Sequence, residues 1–232
     1  MSIKKLKGTQ VYDFIATNIP MQSEINKIVV QNPYKLSTVK NSMSLLGSMC
    51  DYGVRSYFPM RDYAFVELSM VLSGIDQVLD ALLSQFCLKA NDAYALVKAD
   101  GLFRRSKLSD AIVNDYDNLV LRSVDLFNCF NLVSPTFGAF YRIGGVVRCF
   151  ECDCVDERMV LDMKITASDN HIKDYWVQLL TYSMLLTYKE KRPRFVIGLV
   201  RPVQGYVEYF KYKHDQYYSI FHRFKELYKE VL

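Results

Sequence analysis

Long apolar runs are missing from this chain. No uninterrupted stretch approaches the roughly 18 residues that a membrane-spanning helix needs, so no membrane partner is expected. The start, Met1-Ser-Ile-Lys-Lys-Leu-Lys-Gly8, is basic, but no apolar segment stands behind it, so no secretory leader is expected. A regular cysteine framework is also missing. Cys50, Cys87, Cys129, Cys149, Cys152 and Cys154 follow no scaffold spacing, which argues against a disulfide-stapled secreted domain and for a reducing, cytoplasmic compartment. Internal repeats, low-complexity segments and linkers are absent, so residues 1–232 are expected to form a single domain. Nor is there much excess charge of one sign. A net charge of +4 is compatible with a polyanionic partner without requiring one.

Apolar residues make up 50% of the chain, enough for a sizeable core. The 17 Tyr and 14 Phe mostly fill that core, and a few are available to stack on bases. Residues 1–136 read as a helical front. Two or three short helices, broken near Pro20, Pro33 and Pro59, are expected before residue 60. Helical spacing then recurs in "YAFVELSMVLSGIDQVLDALLSQF" (63–86) and "KLSDAIVNDYDNLVLRSVDLF" (107–127), with a turn at Asp100-Gly101.

From residue 137 the period changes to that of strands. "FGAFYRI", "GVVRCFEC" and "RMVLDMKIT" predict three strands, with "CVDE" as the last turn. "YWVQLLTYSMLLTYKE" predicts a helix. "RFVIGLVRP" and "YVEYFKY" predict two more strands, and "DQYYSIFHRFKELYKEVL" a closing amphipathic helix. The fold class is therefore α/β (α+β), with the order β-β-β-α-β-β-α behind the helical front.

One strand carries a chemical oddity. In "VLDMKIT", Asp162 and Lys164 alternate onto the same face of a segment that is otherwise apolar. Unpaired charge is costly to bury, so the pair is expected to serve a site. A carboxylate there suits Mg2+ or Mn2+, and a nearby lysine suits a phosphate or its attacking water. On the next helix Gln178 and Tyr182 are four apart, so they share a face.

Asp-x-Lys followed by Gln-x-x-x-Tyr, in this order, resembles the RecB-like exonuclease branch of the PD-(D/E)XK nuclease superfamily. The resemblance covers roughly residues 137–232: "GGVVRC", "VLDMKIT", "VQLLTY" and the "FVIGLV"/"YVEYF" hairpin. It implies a restriction-endonuclease-like mixed sheet over residues 137–232 and hydrolysis of phosphodiesters with Mg2+ or Mn2+. DNA ranks ahead of RNA as substrate, in replication, recombination or defence. A viral or mobile-element setting is compatible, which would place the chain in a host cytoplasm or nucleus. By the same resemblance Asp162 holds the metal, Lys164 is catalytic, and Gln178 and Tyr182 order the site and the nucleic acid.

One departure stands out. The family's Gly-x-x-Asp, whose Asp is the central metal ligand, is met here by Gly145-Val-Val-Arg148. With the turn centred between Cys154 and Asp156, Arg148 falls opposite Asp162, where it would repel a metal. Glu151 and Asp153 replace the missing acid only if the register shifts or a bulge intervenes. Glu67 is the best-placed upstream ligand. Arg148, Lys173 and Arg201 are the candidate nucleic-acid contacts. "CFECDC" offers three thiolates and no evident fourth ligand, so free thiols are expected rather than zinc. With no cysteine after 154, no iron–sulfur cluster is expected. Two classes stay open: a metal-dependent nuclease, and a degenerate nuclease fold that binds nucleic acid or a protein partner.

Overall fold

The computed structural model describes residues 6, 8–38, 42–59, 85–99, 107–144, 147–167 and 172–229. Six strands form one sheet: β1 (Asn26–Val29), β2 (Thr136–Gly144), β3 (Val147–Val155), β4 (Met159–Met163), β5 (Val196–Arg201) and β6 (Tyr206–Lys211). Their order is β1-β6-β5-β4-β3-β2. Only β4 and β5 pair in parallel. Parallel neighbours need a long crossover, and a helix supplies it between them. The described helices are α1 (Gln10–Thr17), α2 (Met43–Ser56), α3 (Ala90–Ala99), α4 (Asp110–Asn128), α5 (Ile172–Glu190) and α6 (His214–Lys229).

Strand alternation feeds two cores. Leu161, Met163 and Val200 join the core under α2, α3 and α4. Val160, Ile197 and Leu199 join the core under α1, α5 and α6. The sheet is thus covered on both faces, which explains why its central strands read as nearly continuous apolar runs. The crossover helix α5 is buried from Leu179 to Thr187 without a break, so it shows little amphipathic pattern.

The expected mixed α/β architecture, with a helical N-terminal part and a C-terminal helix, is observed. Helix α4 starts where Ser109 caps it, its hydroxyl accepting from Ile112 N–H at 3.4 Å. The front also holds a strand that the pattern does not predict. β1 is four residues long and exposed throughout, so no alternation marks it. It pairs with β6 at the sheet edge, and Val30 and Gln31 N–H both donate to Gly205 O at 3.0 Å. Gly205 has φ +77, and a Cβ there would stand 2.1 Å from Gln31 O, so only glycine fits. The helix read over 63–86 lies outside the described residues except at its last two, and so do Glu67 and the Asp100-Gly101 turn. No described helix is long and apolar enough to cross a membrane.

The main correction is the register of the β3–β4 hairpin. Cys154 pairs with Leu161 and Val155 with Val160, so the turn lies at Glu157 and Arg158, later than the sequence reading places it. Both valines are buried, whereas Glu157 and Arg158 are exposed. Burial of the valine pair therefore sets the register. Asp156 fixes the turn. Its N–H donates to Met159 O, and its carboxylate accepts from Ser134 N–H at 2.7 Å and Val133 N–H at 3.3 Å. One residue beyond the Cys154–Leu161 pair, Asp153 comes opposite Asp162. Arg148 does not.

Candidate functional site

The site lies where β3 leaves β4. The ladder ends after Cys154–Leu161, and the Asp153 carboxylate then takes the place of backbone, accepting Met163 N–H at 2.6 Å. β4 stays with β5, and Lys164 N–H still donates to Val200 O. Side-chain alternation also slips here. Phe150 and Cys152 belong to the core under α5, but Cys154 belongs to the core under α2. Gly138, facing Asp153 across β2–β3, has φ +66. This kink aims Asp153 into the gap between the helical layers, as strand irregularities at sites commonly do.

Asp162 is 2% exposed. Its Oδ2 forms an ion pair with Lys164 Nζ, off the hydrogen-bonding directions, and accepts no hydrogen bond among the described residues. Burial pushes the Asp153 carboxyl up to about 7, and the Asp162 charge adds to the rise, against Lys164, Met163 N–H and Arg55. For Lys164 burial pulls downward, but the charges of Asp162 and Asp153 outweigh it and leave the ammonium more basic than usual. Its Nζ lies 5.2 Å from the centroid of the Tyr175 ring.

A third acid arrives from the front of the chain. Asp51, on α2, is pushed up to about 6 by burial; Arg55 opposes the rise and the Asp153 charge adds to it. Arg55 sits one turn later, 2% exposed. Its Nε donates to Asp51 Oδ1 at 3.1 Å, and its Nη2 binds Asp51 Oδ2. Its Nη1 lies 2.6 Å from Glu151 Oε1. Room for the guanidinium exists because residue 138 is glycine. Among the described residues, Asp51 is the helix-borne acid of the site, and no spacing rule in the sequence singles it out.

Gln178 and Tyr182 do share one face of α5, with Gln178 Nε2 donating to Tyr182 OH at 2.9 Å. Tyr182 stacks on Phe150 of β3. Burial, then the charges of Cys152, Asp162 and Asp153, hold its phenol well above the ordinary value, so it stays neutral. A cavity of about 1120 Å3 opens beside the acids. Asp51, Asp153, Lys164 and Tyr175 line it, with Tyr34 and Gln204 opposite. The loop bearing Tyr34 is pinned by buried Asp115 of α4, which accepts from Tyr34 OH at 3.2 Å and Thr38 N–H at 2.6 Å.

The remaining sequence candidates separate. Glu151 is committed to Arg55, so it does not stand with Asp162 as a ligand. Arg201 is fully buried, 5.9 Å from the Tyr206 ring centroid, and cannot meet a phosphate backbone. It ends β5, where the outer layers cover it. Lys173 is exposed in the first turn of α5. Arg148 belongs to β3, but its side chain lies outside the described residues. All six cysteines are free, and Cys152 and Cys154 point into different cores, so "CFECDC" does not gather its thiols at one point.

Among the described residues no group of three or more His, Cys, Asp or Glu side chains is arranged to enclose an ion. Two carboxylates on neighbouring strands remain, one of them with a buried oxygen that accepts no hydrogen bond, beside an open cavity. That fits Mg2+ or Mn2+, since Mg2+ usually keeps several waters and takes one or two carboxylates. Comparison with protein-family models, curated proteins and solved structures gave no match.

Proposed function

We propose that this chain is a metal-dependent phosphodiesterase that cuts nucleic acid, DNA ahead of RNA, in the manner of the PD-(D/E)XK nucleases it resembles. The observation that carries the reading is the position of Asp153 opposite Asp162, with Lys164 two residues further on. The acid that Gly145-Val-Val-Arg148 lacks is supplied five residues later.

Asp153 and Asp162 would hold the ion. When bound, it supplies charge against the scissile phosphate and a more acidic water. Lys164 brings a permanent positive charge to the same point, in a site where burial strengthens its field. Tyr182 and Gln178 keep the floor of the site ordered through their mutual hydrogen bond. The Tyr34 and Tyr175 rings offer surfaces on which an unpaired base can stack.

A second reading, nucleic-acid binding without cleavage, is favoured by one observation. Lys164 occupies Asp162, and Arg55 occupies Asp51 and Glu151, so the acids are already partnered. Incubation of end-labelled single-stranded and duplex DNA with Mg2+, Mn2+ or chelator separates the two. Metal-dependent cleavage lost in Asp162→Asn supports the nuclease. Metal-independent binding with no cleavage supports the second reading.

A further inference from the structure

We infer that the site takes one divalent ion rather than two, because Arg55 is a built-in cation in the place a second would fill. This rests on the reading of Asp153 and Asp162 as ion ligands. Four acidic side chains meet at this end of the sheet: Asp51, Glu151, Asp153 and Asp162. Two cations, Arg55 and Lys164, stand among them. Four negative charges less two positive leave two, the charge of a single divalent ion.

The positions agree with that balance. Lys164 engages Asp162 and leaves Asp153 bonded to Met163 N–H alone. Arg55 bridges the other two acids through three separate nitrogens. A guanidinium fork held by two carboxylates is far more fixed than a lysine would be. The protein also makes a place for it. A Cβ at position 138 would stand 2.2 Å from Arg55 Nη1 and 2.4 Å from Cζ, and the glycine there adopts φ +66. Asp51 and Glu151 therefore neutralise Arg55 and do not serve as ligands.

Calorimetric titration of the full chain with Mn2+ tests this, with Mn2+ electron paramagnetic resonance as a second count. Wild type should bind one ion. Arg55→Met, which keeps length and removes charge, should bind two. If Arg55→Met does not fold, Asp51→Asn and Glu151→Gln take its place. Each should leave one ion bound, with affinity changed far less than the 10- to 100-fold that even an outer-sphere partner of a metal can be worth. A hundredfold loss in Asp51→Asn would make Asp51 a ligand and overturn the inference. Two ions on wild type, or one on a folded Arg55→Met, would overturn it while leaving the nuclease reading intact. No Mn2+ on wild type would remove both.

Discussion

Gly138 leaves open the space that the Arg55 guanidinium fills. The two residues are distant in sequence, and neither carries a motif. Together they set the electrostatics of the candidate site, because Arg55 offsets the charge of Asp51 and Glu151 and pulls against the raised pKa of Asp153.

Gly138→Ala should therefore be among the most damaging small substitutions in the sheet. It adds a methyl inside contact distance of a buried cation and forces a non-glycine residue to φ +66. Strain and overpacking of this kind cost about 2–4 kcal/mol together. Urea unfolding monitored by circular dichroism should show that loss. A variant with unchanged midpoint would mean that Arg55 has another place to go.

The acids predict how metal-free stability depends on pH. Asp153 and Asp51 have folded values of about 7 and about 6, above the ordinary carboxylate value. A carboxyl with a raised folded value binds its proton more tightly when folded. Its contribution is complete below the unfolded value, near pH 4, and is lost as the pH rises through 6 and then 7. Stability without metal should fall across that window. Asp153→Asn should flatten the fall and gain about 1–3 kcal/mol at pH 8. Denaturant midpoints at pH 4, 6 and 8 in chelator check it; a wild type steadily more stable from pH 4 to 8 would contradict it.

Lys164→Ala should lower cleavage at least about a hundredfold, the scale of removing one charge-stabilising donor. It also leaves Asp162 buried without its cation, so the melting temperature should drop in chelator and recover in Mn2+. Turnover assays and thermal melts on the same samples separate the two effects. Cleavage at the wild-type rate would exclude Lys164 from the chemistry.

Tyr182→Phe removes one hydroxyl and keeps the ring on Phe150. Losing the hydrogen bond from Gln178 should cost about 1 kcal/mol of stability. If the pair only fills core, cleavage will match wild type once the protein is folded. The nuclease reading expects a lower turnover at unchanged metal affinity.

The parts of this picture differ in how they show in the sequence. Asp162 and Lys164 were legible because a charged pair on one face of an apolar strand has few other uses. Gln178 and Tyr182 follow from helical spacing. The partner of Asp162 was not legible, because shifting the hairpin turn from about Asp156 to Glu157–Arg158 exchanges Arg148 for Asp153. Only the burial of Val155 against Val160 fixes that choice. Asp51 and Arg55 read as an ordinary i, i+4 ion pair on a helix, and nothing local tells that the sheet covers them. Arg201 read as a surface cation because burial by α-helical layers is a tertiary fact. Strand β1, exposed along its length, has no pattern to read.

The account stands on Asp153 and Asp162 sharing one ion. A crystal soaked in Mn2+, with anomalous scattering recorded at the manganese edge, tests that directly. The predicted result is one peak per chain, between the Asp153 and Asp162 carboxylates, that disappears in Asp153→Asn. A peak bound instead by Asp51 and Glu151, or no peak at saturating Mn2+, would contradict it.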